Sequence, residues 1–307
     1  MHLILPLAAS HLWPDRLPSV QDLPHLGRLL GQMQRKHTLV DEEGEHPLLP
    51  HERVQARDLG WPDAGPWPQA AQDTGLPGLQ AWMTPCHWQV GMDTVVMLPP
   101  EALQLGDDES QQLLLAMQAW LQQDGLQVQW HSALRWHARS PQLDGMCTAS
   151  LARVSGANIR PWLMGGNLPP ALRRLQSEMQ MLLYNHPVND ARMARGQLTV
   201  NSFWLHGAGH PAPVTAAAGA FRRIDALQEA ATQGPLAWQQ AWQTLDAQVL
   251  APLVHTDTPL QLSLCSESTA HTWQRSPQGW TQRLRRLLQP VRADAALRAL
   301  LNSSDTP

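Results

Sequence analysis

Apolar runs and helical periodicity alternate along the first part of the chain. The continuous apolar run over residues 2–8 predicts a strand covered on both faces, and it lacks the basic leading segment of a signal peptide. Apolar residues at helical spacing predict a helix over 23–34. The segment 40–78 is rich in Pro, Gly, Asp and Glu, which predicts irregular surface chain with one or two short helical turns.

The middle of the chain continues with extended runs around one amphipathic helix. Asp107 or Asp108 is the predicted cap of this helix, and Asp124-Gly125 is its predicted end. Its apolar face comprises Leu113, Leu114, Met117, Trp120 and Leu121. The predicted strands in this part cover 81–90, 94–98, 126–130 and 134–138, and the first two form a hairpin across a glycine-containing loop.

Beyond the loop-rich segment 140–170, the pattern becomes mainly helical. A helix with Pro170 in its first turn ends before Pro187, because proline forces His186 out of helical geometry. The elements predicted after it are a strand over 200–205, helices over 221–232 and 236–249, a hairpin of 260–265 with 269–274, and terminal helices around 284–288 and 296–300. The order of elements predicts an α/β (or α+β) fold, in which helices pack on a mixed sheet. The chain divides into segments 1–78, 79–210 and 211–307, or forms one continuous unit.

Composition and charge narrow the class of protein. The 307 residues are 43% hydrophobic and 16% charged, which is typical of a globular protein. The net charge of −4 disfavours direct nucleic-acid binding, and no apolar stretch reaches the roughly 18 residues of a membrane span. Three separated cysteines are typical of reduced thiols, so we expect a cytoplasmic protein without cysteine-based zinc.

Functional residue types concentrate between Glu178 and Pro213. Arg192 and Arg195 are three apart, so they could clamp a phosphate or carboxylate, and the turn Gly207-Ala208-Gly209 could present backbone N–H groups to an anion. The candidate ligand-binding residues are His186, Asn189, Arg192, Arg195, Asn201, His206, Gly207, Gly209 and His210.

Each of these signals also has a structural interpretation. His186 and Asn189 could simply fix the turn after a helix, the arginines could be solvated, and the glycines could let two elements pack closely. The glycines between His206 and His210 disfavour a metal site, and no Ser-His-Asp arrangement is evident. We therefore predict no metal and assign no catalytic residue.

The run His186-Pro187-Val188-Asn189, followed by Arg192, Gly196, Asn201 and Gly207-Ala208-Gly209, resembles archaeal-type cofactor-independent phosphoglycerate mutases. The chain resembles more closely a proteobacterial phosphoglycerate-mutase-like family, the regulatory proteins of the RpfE type. The mutase resemblance covers roughly residues 178–211, and the second resemblance extends over the whole chain. The resemblance implies a smaller version of the α/β fold that is related to alkaline phosphatase.

The resemblance to the mutases also implies metal-dependent signatures that this sequence lacks. An Asp-Gly pair is expected after the first strand, where Ala8-Ala9-Ser10 stands, and a Gly-Asp-His-Ser/Thr run is not found. We therefore expect a non-catalytic or regulatory binder of a phosphorylated or anionic small molecule, without a cofactor. Two alternatives stay open. One is a metal-dependent phosphoglycerate mutase or phosphatase, and the other is a protein-interaction factor associated with DNA repair.

Overall fold

The computed structural model describes residues 1–41, 44–165, 168–212, 221–275 and 292–302. The chain forms two compact units. Unit 1 combines Met1–Gly60 with Thr215–Pro307, and unit 2 comprises Trp61–Val214. This grouping differs from the three consecutive segments considered above, since the two ends of the chain share one unit.

Strands and helices alternate through both units. The strands are β1 (His2–Leu5), β2 (Met33–Val40), β3 (Gln80–Cys86), β4 (Trp88–Val90), β5 (Val95–Met97), β6 (Gln127–Ser132), β7 (Arg135–Arg139), β8 (Ser202–Gly209), β9 (Phe221–Arg223), β10 (Gln261–Cys265) and β11 (Thr269–Arg275). The α-helices are α1 (Pro24–Gly31), α2 (Pro50–Asp58), α3 (Gln69–Thr74), α4 (Asp107–Gln123), α5 (Leu151–Val154), α6 (Arg160–Gly165), α7 (Pro170–Tyr184), α8 (Pro187–Ala194), α9 (Ala226–Ala231), α10 (Pro235–Leu245), α11 (Ala251–Val254) and α12 (Ala293–Ala299).

Unit 1 contains a five-stranded sheet in the order β2-β11-β10-β1-β9. β1 lies in the interior of this sheet and pairs in parallel with β10 and β9. All four residues of β1 are buried, as predicted for a strand that is covered on both faces. Two buried indoles fix the chain that leaves β1, because Trp238 donates to the Leu7 carbonyl at 2.9 Å and Trp242 donates to the Ala8 carbonyl at 3.1 Å.

Unit 2 contains an antiparallel four-stranded sheet in the order β6-β7-β3-β8 and a separate two-stranded hairpin of β4 and β5. Apolar faces of α4 and α7 contribute to one core with this sheet. That core includes Leu113, Met117, Leu121, Leu172, Leu175, Met179, Ala81, Met83, Phe203 and Leu205. Burial of these apolar side chains is the main force that holds the helices on the sheet.

The mixed α/β fold class is confirmed, and so are most predicted elements. The structure has a strand at the start, the amphipathic helix α4, strands β6 and β7, the β10–β11 hairpin and a helix that ends before His186. The predicted strand 81–90 is divided into β3 and β4, and only β4 forms the hairpin with β5. The loop-rich segment 40–78 contains two helices, α2 and α3, as expected.

Several local predictions were wrong. Met33 begins β2 and Phe221 begins β9, although both positions were predicted to be helical. Pairing with a neighbouring strand decides the conformation at these two positions. Gly106, not Asp107 or Asp108, is the N-cap of α4. Trp120 is 46% exposed and lies outside the apolar core. The helix predicted around 284–288 lies outside the described residues.

Candidate functional site

The sheet of unit 2 has one apolar face and one polar face, because residues alternate sides along each strand. Ala81 and Met83 of β3 join the apolar core, whereas Gln80 and Trp82 point to the opposite side. Antiparallel register places Trp82 opposite both His137 and His206. The polar face, as we call it below, comprises Gln80, Trp82, Thr84, Gln127, Gln129, His131, Arg135, His137, Arg139 and His206.

An ion pair and an aromatic cluster occupy the middle of the polar face. One carboxylate oxygen of Asp73 accepts from the Trp82 indole at 2.9 Å and from the Arg135 guanidinium at 2.8 Å. The same guanidinium lies 4.3 Å from the centroid of the Trp82 ring, within the range of a cation–π contact. The charge of Arg135 is therefore paired with the carboxylate of Asp73 at a partly exposed position.

A second network fixes the chain that leads into β3. The buried Gln80 side chain accepts at Oε1 from Thr74 Oγ1 at 2.7 Å and is also bonded to His137 Nε2 at 2.7 Å. Desolvation by burial lowers the pKa of His137, and the positive charges of Arg139 and His131 lower it further. His137 is therefore a neutral structural residue near neutral pH.

An open groove lies at the end of the polar face, where β6 begins and β7 ends. Its volume is about 470 Å³, which falls within the range of small-molecule clefts, roughly 300–1,000 Å³. The groove is lined by Leu79, Gly125, Gln127, Arg139, Ser140, Pro141, Asp144 and His210. It contains two side chains of opposite charge, Arg139 and Asp144.

Neither charge in the groove is neutralised by a neighbour. Across the described ranges of the chain, the side chains of Arg139 and Asp144 form no ion pair or hydrogen bond. The backbone between them is fixed, because Ser140 Oγ accepts from the Gln142 N–H at 3.2 Å and the Asp144 N–H donates to the Pro141 carbonyl at 3.2 Å. The groove therefore presents unpaired charges from a well-held turn.

The two arginines predicted to clamp an anion, Arg192 and Arg195, are bonded to groups of the protein. Arg192 is completely buried, and its guanidinium donates to the Glu109 carboxylate, to the Leu103 carbonyl, and to the Leu198 carbonyl at 2.7 Å. Arg195, with 51% of its side chain exposed, donates to the other oxygen of Glu109. We call these three charged side chains the arginine cluster; it joins α8 to the first turn of α4.

His186 and Asn189 also bond to backbone groups. His186 is the N-cap of α8, where its Nδ1 accepts from the Val188 N–H at 3.2 Å, and burial lowers its pKa. The buried Asn189 amide donates to the carbonyls of Leu183 and Val200 at 2.8 and 2.7 Å and accepts from the Val200 N–H at 2.9 Å. These contacts close the α7–α8 turn and attach it to the chain before β8.

Asn201 and His206 hold β8 to its neighbours. Asn201 forms two bonds with the Trp88 backbone, accepting at 2.7 Å and donating at 2.9 Å, much as a paired strand residue would. His206 Nε2 bonds to Thr84 Oγ1 at 3.0 Å. Desolvation by burial, assisted by the charge of Arg135, lowers the pKa of His206 to about 3. The His206 imidazole is therefore uncharged at neutral pH and does not attract an anion electrostatically.

Gly207 and Gly209 allow α3 and the residue before it to approach β8. Gly207 has φ +63° and lies in a bulge of the β3–β8 ladder. A Cβ atom there would lie 2.7 Å from the Gln69 Cβ, and one at Gly209 would lie 2.8 Å from the Pro68 Cβ. The glycines therefore let two elements pack closely, which is the structural interpretation of this part of the sequence.

Of the nine candidate residues, His210 is the one that lines the groove. The others divide between the arginine cluster, the α7–α8 turn and the packing of β8. The sequence analysis missed Gln127, Arg139 and Asp144. The pattern of residues did not indicate them, because closing the predicted strands 126–130 and 134–138 into a hairpin would place Gln127 opposite His137. The observed register, which shifts between Trp130 and Ser132, places it opposite Arg139.

The described part of the chain contains no group of three or more His, Cys, Asp and Glu side chains placed to hold a metal ion. Cys86, Cys147 and Cys265 are free thiols. No helix among the described residues combines the length and the apolar character needed to span a bilayer.

One histidine in unit 1 lies between an acid and a serine. His2 Nε2 is 2.9 Å from Ser263 Oγ, and His2 Nδ1 is 2.6 Å from Asp58 Oδ2. Ser263 is completely buried and also bonds Thr272 Oγ1 at 2.6 Å, so we interpret this arrangement as part of the sheet's interior.

Two solved structures are similar to this chain at low sequence identity. One is the cofactor-independent phosphoglycerate mutase from Thermoplasma acidophilum DSM 1728, with 14% identity, a TM-score of 0.37, and coverage of 91% of this chain and 90% of that one. The other is the PH0037 protein from Pyrococcus horikoshii, with 11% identity, a TM-score of 0.48, and coverage of 91% and 88%. No protein-family model and no curated protein matches the sequence. The similarity is therefore distant and assigns no activity to this chain.

Proposed function

We propose that this chain binds a small anionic molecule, phosphorylated or carboxylated, in the groove of unit 2, and that binding rather than phosphoryl transfer is its function. The observation that carries the proposal is the unpaired guanidinium of Arg139 at a groove of small-molecule size. Guanidinium binds phosphate and carboxylate through two parallel hydrogen bonds, so Arg139 would be the principal anion-binding group.

Two further groups support this assignment. The Gln127 amide and the His210 imidazole also line the groove and can donate hydrogen bonds to an anion that Arg139 has attracted. The arginine cluster is a poorer candidate, because each guanidinium there already donates to Glu109. The sequence supports a non-catalytic role, since Ala8-Ala9-Ser10 stands where the mutase resemblance implies an Asp-Gly pair.

Calorimetric titration of the full chain with 3-phosphoglycerate, and separately with inorganic phosphate, tests the proposal. We expect saturable binding that Arg139→Ala weakens by about tenfold, because a charge-assisted hydrogen bond is lost. Arg173→Ala is the matched control. Arg173 is an exposed arginine of α7 outside the groove, and its substitution should change the dissociation constant less than about twofold.

Equal affinity of the parent and Arg139→Ala, or the absence of binding heat with both anions, would overturn the proposal. The same protein should be assayed for metal content and for mutase and phosphatase turnover with manganese. Stoichiometric metal together with turnover that a chelator abolishes would support a metal-dependent phosphomutase or phosphatase instead.

A further inference from the structure

The groove contains a carboxylate as well as a guanidinium, and a binding site for a simple anion would not need the carboxylate. Arg139 ends β7, and Asp144 follows five residues later, beyond the short turn that begins at Ser140. Both side chains line the same open groove. The pair thus presents one positive and one negative group to a single ligand.

These two groups do not neutralise each other. Their charged atoms form no ion pair within 4.0 Å, nor has either one another charged partner in the part of the chain that the structure describes. The hydrogen bonds of the intervening turn, Leu143 N–H to the Ser140 carbonyl and Asp144 N–H to the Pro141 carbonyl, both at 3.2 Å, fix the backbone of this turn. A ligand therefore meets two separate charges on exposed side chains, carried by a segment whose backbone is fixed.

Electrostatics then favours one class of ligand. An anion that approaches Arg139 is repelled by Asp144, whereas a molecule with an anionic group at one end and an ammonium group at the other is attracted at both ends. We infer that the groove selects a zwitterionic small molecule, an amino compound that also carries a phosphate or carboxylate group. This inference rests on the proposed anion-binding function of the same groove and adds the ammonium group to the ligand.

Two commercially available probes differ in this one feature. O-phosphoserine and 3-phosphoglycerate share the phosphate, the carboxylate and the carbon chain, but the first has an ammonium group where the second has a hydroxyl group. Calorimetric titration of the full chain with each probe, near pH 7, isolates the contribution of the ammonium group. We expect O-phosphoserine to bind about fivefold more tightly, the effect of one exposed ion pair.

The Asp144→Asn substitution assigns the preference to its source. It removes the charge and retains the size of the side chain, so the preference for O-phosphoserine should fall to about one. Binding of 3-phosphoglycerate should strengthen, by roughly twofold, because a repulsive charge is lost. Glu101→Gln, at an exposed carboxylate of unit 2 that does not line the groove, is the control and should leave the preference unchanged.

The outcomes separate this inference from the function on which it rests. Equal affinities of the two probes for the parent, with binding that still depends on Arg139, would overturn the zwitterion inference and leave anion binding intact. A preference that persists in Asp144→Asn would likewise overturn it. If neither probe binds, both the inference and the anion-binding function fail.

Discussion

Arg192 and Arg139 are both arginines of unit 2, and they have opposite surroundings. Arg192 is completely buried and donates to a carboxylate and two carbonyls. Arg139 lies at an open groove and has no partner within the described residues. The same contrast recurs between the packed Gly207 and the unobstructed Gly196, and between the buried His206 and the exposed His210.

These contrasts show how a motif can be rich in functional residue types and still be structural. A guanidinium is buried only where carboxylates and carbonyls accept the hydrogen bonds that water would otherwise accept. A buried arginine therefore has few free N–H groups with which to bind a ligand. A free arginine at a groove keeps its hydrogen-bonding capacity.

The arginine comparison should give the largest difference in stability. Arg192→Ala leaves Glu109 without its buried partner and two carbonyls without a donor, so we expect the free energy of unfolding to fall by about 4 kcal/mol. Arg139→Ala, at an exposed position, should change it by less than about 0.5 kcal/mol. Urea denaturation monitored by tryptophan fluorescence measures both. A loss for Arg192→Ala as small as that expected for Arg139→Ala would contradict the structural role of Arg192.

The glycine comparison separates backbone strain from steric overlap. Gly207 and Gly196 both have positive φ, at +63° and +68°, but a Cβ atom would overlap Gln69 only at Gly207. Gly196→Ala should therefore lose about 1 kcal/mol from backbone strain alone. Gly207→Ala should lose about 3 kcal/mol, since α3 must also shift. Equal losses by denaturant titration would mean that the approach of α3 to β8 contributes nothing.

The histidine comparison predicts a smaller, pH-dependent effect. Burial lowers the pKa of His206 to about 3, whereas an unfolded histidine titrates near about 6.5. The unfolded state therefore binds the proton first, and the contribution of His206 to stability falls as the pH drops from about 6.5 towards about 3. Between about pH 6 and pH 5 this contribution should decrease by about 1 kcal/mol.

His206→Gln keeps a group that can bond Thr84 but removes the titration. The variant should lose about 1 kcal/mol less than the parent over the same pH interval, measured by denaturant unfolding at each pH. His210→Gln, at an exposed position, should follow the parent. The lowered pKa values of His137 and His186 act in the same direction and remain in both variants. A His206→Gln curve parallel to that of the parent would contradict the assignment.

Much of the secondary structure could be predicted from the sequence because the spacing of apolar residues along a helix or strand reflects which of its faces is buried. The start of α7 at Pro170 and the break at His186-Pro187 depend only on neighbouring residues, and both are confirmed. The segments whose starts were misplaced are β2, with eight residues, and β9, with three. Their conformation depends on strand partners that are distant along the chain, at β11 and β1.

The sequence by itself determined the fold class, the main helices and hairpins, and where functional residue types are dense. Only the tertiary structure decided which of those residues are free to act. Glu109 lies 83 residues from Arg192, and α3 lies more than a hundred residues before the glycines it packs against, so no local pattern reveals that these sites are occupied. Such partners come together only when the chain folds. The charges that remain unpaired lie at a groove, and the pattern of residues along the chain did not indicate that groove.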